Sequence, residues 1–591
     1  MTCPFRSVRW AGFRTRSISN RIGGPVRSRR LVVSAAALAV GVGLIPGAAQ
    51  AAGPAAPGVS APPPESAPDE AAAAESGTFR SPGENTVRTV LPSSAAEGGS
   101  TQASADASNL ELLMWGDART ARSISFGVNL YQGAPVPHEV TIAWGDGTTH
   151  TATVTGGQIL YDVRHTYPRP GDYTVTVTAT DTVNNVQAVN RLPFTTPGSF
   201  FAPHAPTRLL DTRAGIGAAR SKVGAYTPVR LKIAGNAKVP AGVTAVVLNV
   251  TATNATAGGH VSVYPSGRDR PKTSNVNYTA GQTIPNQVIV PVGKDGYIEL
   301  YNGGWNAVDL IADVTGYFDR AAADGYTSLN PVRFVDTREG LGAARGQVAG
   351  QDTFGVQITG RSGIPAGATA VALNVTVTNP RETGHLTVFP SGQAAPSTSS
   401  LNFTAGQTVA NSVIVPVGAD GKINVRNGAW AGTDVIIDVV GYYGAGSKAA
   451  FATWRLGLPA EGGPFRHIDT RGLPPNTWPC FAGGYYALHL NSGNRYDLPI
   501  EAYVTNVTVA STTGAGHLSV APDPNSAHAY QYGYAVKPPR PTTSALNWTA
   551  GKDVSNLVQA KTGPYGVIDL WNQSSREVHY IVDWFGEYDA Y

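Results

Sequence analysis

Short strand-length apolar runs set the pattern of this chain. Val140-Thr141-Ile142-Ala143-Trp144 alternates as a half-buried strand does, and Gly145-Asp146-Gly147-Thr148 supplies a tight turn behind it. Tyr173 to Ala179 alternates again after Pro170-Gly171-Asp172. Farther on, Ala245 to Val250, Val261 to Tyr264, Val288 to Val292, Ile298 to Tyr301 and Val308 to Val314 are alternating or wholly apolar. Turn signals such as Ser266-Gly267 and Asp295-Gly296 separate them. No stretch sustains helical periodicity, so the pattern predicts an all-β protein.

The pattern also repeats. Arg208-Leu209-Leu210-Asp211-Thr212-Arg213 returns as Arg333 to Arg338 and as Arg466 to Arg471. Leu248-Asn249-Val250-Thr251 returns at Leu373 and, as Thr505-Asn506-Val507-Thr508, in a third copy. Gly259-His260, Gly384-His385 and Gly516-His517 correspond, as do Asn277 to Gly281, Asn402 to Gly406 and Asn547 to Gly551. Asp313 to Tyr317 corresponds to Asp438 to Tyr442 and to the run from Asp583. Copies one and two stay 125 residues apart at all these landmarks. That period is too long for a solenoid unit and suits an independent domain. The expectation is three homologous β-sandwich or barrel-like domains in tandem, at 199–319, 326–444 and 451–591.

Length and composition fit this picture. A chain of 591 residues needs several cores, and 68 Gly with 43 Pro suit turn-rich β structure. The formal charge is +4, but eight Arg and no acid fall within the first 51 residues. Beyond them 36 Lys and Arg face 40 Asp and Glu, which gives a nucleic-acid partner no electrostatic support. Residues 1–51 read as a signal peptide: a basic stretch, the apolar Leu31 to Ile45, then Ala49-Gln50-Ala51 as a cleavage site. Ser28-Arg29-Arg30-Leu31 leaves the Tat and Sec routes both open. The apolar run falls short of the roughly 20 residues of a membrane span, so no transmembrane anchor is expected in the mature chain. Residues 52–107, rich in Ala and Pro, read as a disordered linker. Cys3 leaves with the signal, so Cys480 has no intrachain partner and is read as a small buried hydrophobe, with a bridge between chains the other option.

The segment 108–197 resembles a PKD domain, an Ig-like β-sandwich of extracellular proteins. Trp144-Gly145-Asp146-Gly147, His165-Thr166-Tyr167 and Gly171-Asp172-Tyr173-Thr174-Val175 carry the resemblance. It implies a spacer, adhesion or carbohydrate-binding role. Asp146 is read as a turn cap ahead of a calcium ligand. The three repeats resemble tandem β domains of secreted actinobacterial surface proteins, which implies location and fold but little function.

Candidate chemistry is sparse. Asp211/Arg213, Asp336/Arg338 and Asp469/Arg471 pair a carboxylate with a guanidinium in every copy, which reads as a structural ion pair before a sugar-gripping patch. His260, His385 and His517 read as structural, and Asn249, Asn374 and Asn506 as strand-surface polar residues. The third copy holds about thirteen extra residues between His517 and Asn547, including His528, Tyr530, Tyr532 and Tyr534. Tyr at every second position lines one face of an extended segment and suits stacking on sugars or a partner protein. Trp548 and Trp584 read as core. Common nucleophile, metal and phosphate motifs are missing, so neither a metal nor a cofactor is expected. The sequence therefore points to a secreted, non-catalytic surface protein that binds a polysaccharide, a cell-wall polymer or a surface protein. A purely structural stalk, or a polysaccharide hydrolase with an unrecognised carboxylate pair, remain as alternatives.

Overall fold

The computed structural model describes residues 78–91, 109–118, 120–453, 463–472, 479–490 and 500–590. The signal segment and most of the 52–107 linker lie outside the described residues. The first unit has nine strands: β1 (Thr78–Ser81), β2 (Val87–Val90), β3 (Glu111–Ala118), β4 (Ser123–Tyr131), β5 (Pro137–Ala143), β6 (Thr149–Thr155), β7 (Ile159–Thr166), β8 (Asp172–Asp181) and β9 (Val186–Thr195). They form two antiparallel sheets, ordered β1-β3-β4-β7 and β2-β9-β8-β5-β6. Val140, Ile142, Val175 and Val177 point inward between them, as the alternation requires.

β1 and β2 correct the domain boundary, because they lie inside the stretch read as linker. Phe79 is buried edge-on against Phe194, ring centroids 4.8 Å apart. Val87 to Val90 pairs along Val186 to Val189. Two four-residue strands are too short to show a period, yet each finds main-chain partners on an open sheet edge.

Each repeat is a sandwich of two antiparallel sheets with one shared topology, four-stranded in repeats 1 and 2. Repeat 1 comprises β10 (Phe200–Asp211), β11 (Pro228–Lys232), β12 (Ala245–Thr253), β13 (Gly259–Pro265), β14 (Val276–Tyr278), β15 (Ile284–Pro291), β16 (Tyr297–Asn302) and β17 (Asp309–Asp319). Its sheets run β10-β17-β12-β15 and β11-β16-β13-β14. Repeat 2 follows with β18 (Gly325–Asp336), β19 (Thr353–Gln357), β20 (Ala368–Thr378), β21 (Gly384–Pro390), β22 (Leu401–Phe403), β23 (Val409–Pro416), β24 (Lys422–Asn427) and β25 (Asp434–Gly444) in the same order. Repeat 3 has β26 (Ala450–Ala452), β27 (Phe465–Asp469), β28 (Tyr485–His489), β29 (Ile500–Ala510), β30 (Gly516–Pro522), the helix α1 (Ala527–Gln531), β31 (Leu546–Trp548), β32 (Val554–Lys561), β33 (Val567–Asn572) and β34 (His579–Asp589). Here β26 and β27 share the place of one long first strand, both pairing with β34. Cys480 is buried and bridges Val578, as Val223 bridges Val308, and Trp548 and Trp584 are core.

The repeats are not independent beads. β12 and its counterparts bury both faces: one against their own second sheet, the other against the neighbouring repeats. A further core draws Phe201, Val247 and Phe318 from repeat 1, Tyr326, Ala372 and Tyr443 from repeat 2, and Phe451, Val504 and Tyr588 from repeat 3. The contacts are cyclic. Phe201 packs 4.1 Å from Tyr443, Tyr326 4.1 Å from Tyr588, and Phe451 4.4 Å from Phe318, each reaching the next repeat. Gly316, Gly441 and Gly586 make room for these rings, since an added Cβ would fall 2.2–2.4 Å from Phe201, Tyr326 or Phe451. The connecting segments pair too, Ser199 with Phe451, Phe201 with Asp324, and Tyr326 with Ala449. Three tandem copies thus close into one body with threefold pseudosymmetry.

Candidate binding site

Asn249, Asn374 and Asn506 correct their strand-surface reading. They are buried and sit on the seams. Asn249 donates to the Ser399 carbonyl at 2.7 Å, Asn374 to Ser544 at 2.5 Å, and Asn506 to Ser274 at 2.5 Å. A second set answers them. Asn411 donates to Asn249 Oδ1, Asn556 to Asn374 and Asn286 to Asn506, at 2.8–3.0 Å. The oxygens of that second set accept the backbone N–H of Gln287, Ser412 and Leu557. Sequence reasoning missed Asn286, Asn411 and Asn556. Their signal was an Asn at one matched place in three strands.

The repeated Asp–Arg motif forms one network three times. Arg208 grips Asp313 through two hydrogen bonds, 2.9 and 3.2 Å, and reaches Asp211 at 3.2 Å, which also pairs with Arg213 at 2.7 Å. Arg333, Asp438, Asp336 and Arg338 repeat this, as do Arg466, Asp583, Asp469 and Arg471. The Arg213 guanidinium holds Asp211 below the usual carboxylate range, and burial pushes Asp313 above it against the pull of Arg208. Asp583 also accepts the Ser274 N–H of the neighbouring repeat at 2.9 Å, so the network meets the seam. His260 and His385 lie against Gly303 and Gly428, where an added Cβ would fall 2.3 Å from the ring. Burial, then nearby Arg side chains, lower the basicity of His260, His385 and His517.

The Tyr-rich insert of repeat 3 is not extended. Ser526 caps α1 by accepting the Ala529 N–H at 3.1 Å, which winds the tyrosines onto different faces. Tyr530 turns inward and donates to Asp523 at 2.5 Å. Tyr532 and Tyr534 remain exposed, with His528 4.1 Å from the Tyr532 ring and 2.6 Å from the Tyr534 hydroxyl. The insert roofs the outward face of β28 and β33, where Tyr485, Ala487, Val567 and Trp571 form a small core of their own. Beneath it lie Asp523 and Asp569, both 0% exposed. Asp523 takes hydrogen bonds from Tyr530 and from the Asn525 backbone and side chain. The Asp569 carboxyl faces Asp523 and the Trp571 indole. Burial and the facing Asp523 push the Asp569 carboxyl up to about 10, so it carries a proton at neutral pH. This pair is sealed from substrate.

Among the described residues the most exposed large rings are elsewhere. Trp305 and Trp430 are 78% and 83% exposed at matched positions in the β16–β17 and β24–β25 loops. The loops are braced from below. Buried Asn302 accepts the Gly304 N–H and donates to the Asn306 carbonyl, and Asn427 repeats this with Ala429 and Ala431. The Glu382 carboxylate accepts the Trp430 and Ala431 N–H groups. Tyr226, half-exposed, stands edge-on to Trp305 at 5.6 Å. β17 leads from this loop to Arg320, which donates to the Thr196 carbonyl of the first unit. Eleven strand residues, about 35 Å, thus separate the Trp loop from the end that meets the Ig-like unit. Repeat 3 has Ser575 at this place.

In the first unit Asp146 is a turn cap. It accepts the Thr148 N–H and hydroxyl at 3.0 and 2.6 Å and meets His165 at 2.8 Å, with His165 stacked on Trp144 at 4.6 Å. Burial works against its charge, but the Thr148 and His165 hydrogen bonds outweigh it and hold Asp146 below the usual carboxylate range.

Residues 125–193 match the PKD domain model, and the described fold of that segment is Ig-like. No curated protein matches the chain. Among solved structures, the N-terminal CBM22-1-CBM22-2 tandem domain from Paenibacillus barcinonensis Xyn10C is 10% identical over 41% of this chain and 99% of its own, with a TM-score of 0.14. A structure of Sulfolobus Turreted Icosahedral Virus is 9% identical over 66% of this chain and 91% of its own, with a TM-score of 0.13. Among the described residues no helix is long and apolar enough to cross a membrane.

Proposed function

We propose that this is an exported, non-catalytic binding protein whose closed three-repeat body presents aromatic rings to a polysaccharide or cell-wall polymer. One observation carries the reading: Trp305 and Trp430 stand outward in corresponding, internally braced loops. A large ring held in water by a fixed loop loses little freedom on binding and offers a flat apolar face to a sugar ring. The PKD match supports an extracellular setting. The repeats close on themselves, which favours a compact head over an extended stalk. The buried Asp523–Asp569 pair has no opening to a substrate, which weighs against hydrolysis there.

Pull-down of the full chain on insoluble peptidoglycan, chitin and cellulose tests this. At least one should retain the protein. Trp305→Ala and Trp430→Ala should each weaken retention by about 0.5–1.5 kcal/mol with unchanged thermal unfolding. Undiminished retention of the double variant would remove the Trp loops from the account.

A further inference from the structure

The three repeats differ on the outward face of the second sheet. In repeat 1, Tyr297, Glu299 and Tyr301 point outward from β16, and Arg230 and Lys232 from the edge strand β11. The Arg230 guanidinium lies 3.9 Å from the Tyr297 ring centre and Lys232 Nζ 4.6 Å from the same ring. Arg270, from the loop after β13, lies 4.3 Å from the Tyr301 ring centre. Lys272, exposed, follows two residues on. The matched positions in repeat 2 are Gly355, Gln357, Ala395 and Ser397, with Lys422 and Arg426 in place of the two tyrosines. Repeat 3 has Ala487, His489, Val567, Asp569 and Trp571 here, all buried and covered by the insert. Among the described residues repeat 1 alone lays cations on the rings of this face; in repeat 2 Arg361 lies on Phe334, a ring of the other sheet.

Net charge does not explain the concentration, since acids outnumber bases beyond residue 51. The acids nearby are largely engaged. Asp295 holds Arg230 at 2.5 Å and accepts from Ser266, and Glu299 accepts the Tyr264 hydroxyl. Asp269 is exposed in the loop. Arg230 spends its N–H groups on Ser266 and Asp295, whereas Lys232 and Arg270 are exposed and keep their N–H edges toward solvent, and stacking fixes side chains that would otherwise have to be ordered on binding. Those edges match carboxylate and phosphate oxygens. Tyr297 and Tyr301, four strand residues apart, set the two stacked groups about 13 Å from each other along β16.

We propose that this face of repeat 1 binds a linear polymer bearing a carboxylate or phosphate on each repeating unit, laid along β16 with successive anions on Lys232 and Arg270. The face deepens the polymer-binding reading but uses other residues than Trp430, so the two fail separately.

The full chain is titrated by affinity electrophoresis with polygalacturonate, poly(glycerol phosphate), neutral dextran and duplex DNA. Retention is expected on at least one of the two anionic polymers and not on dextran, and the one that retains it names the anion. The variant K232Q/R270A/K272S carries the residues repeat 2 has at these positions in the same fold, so it should unfold at the parental temperature. It should lose about tenfold in affinity at about 50 mM salt, with a shallower salt dependence. The proposal is overturned if neither anionic polymer retains the protein or if the triple variant binds like the parent. It is equally overturned if duplex DNA is held as tightly, since the face would then be an unselective patch of charge.

Discussion

Asp569 shows what a single side chain does to stability here. Its carboxyl is raised by burial and by Asp523, so folding favours the protonated form. In the unfolded chain it ionises near 3.8. The stability it contributes is therefore complete below that value and is lost as pH rises toward about 10. Asp569→Asn should flatten the alkaline part of the curve: the thermal midpoint of the parent falls between pH 5 and 9 more steeply than that of the variant. Parallel curves would mean that Asp569 is not protonated in the fold. Arg208 has the opposite character. Arg208→Met strands Asp313, 2% exposed, without its guanidinium, and should cost about 3 kcal/mol in denaturant unfolding. The sequence brought out Asp211 and Arg213 because they recur, and Asp313 as a separate landmark. It could not join Arg208 to Asp313, because the contact spans 105 residues and depends on the register of β10 against β17.

At the scale of elements, alternation was a good guide wherever a strand had one dry face, as in β5 and β8. It misled in the insert. A Tyr at 530, 532 and 534 fits a strand face, but Ser526 at the head of the run caps a helical turn, and the local hydrogen bond decides the conformation. The same turn brings Tyr530 over Asp523, which fastens the insert to its sheet. Tyr530→Phe should loosen residues 524–536, with faster amide exchange and earlier proteolysis there and little change in repeats 1 and 2. Unaltered exchange would show that the small core of Tyr485, Val567 and Trp571 holds the roof without that bond. β1 and β2 were invisible for another reason: a strand of four residues on a sheet edge is specified by its partner's backbone more than by its own side chains.

For the whole molecule, the threefold closure makes a claim about each repeat alone. Repeat 2 carries both halves of every seam. Asn374 donates to repeat 3 while Asn411 donates to repeat 1, and Tyr326 stacks on repeat 3 while Tyr443 receives Phe201 from repeat 1. Its two seam surfaces are thus complementary to each other under a threefold rotation. The continuous apolar run in β20 was readable as a strand covered on both faces, but the period of 125 alone could not say that the cover was a sibling repeat. Isolated repeat 2, residues 326–444, should therefore associate into trimers as its concentration rises, because separate chains lack the high local concentration that the connecting segments give the intact protein. Sedimentation equilibrium should find a trimer that Asn374→Ala with Asn411→Ala shifts toward monomer, each lost amide bond contributing about 1 kcal/mol. The intact chain should unfold its three repeats in one transition, since removing any one exposes Ala, Val and aromatic surface on the other two. A well-folded monomer of repeat 2 at high concentration, with the side-chain order of the intact protein, would mean that the repeats are self-sufficient and only touch.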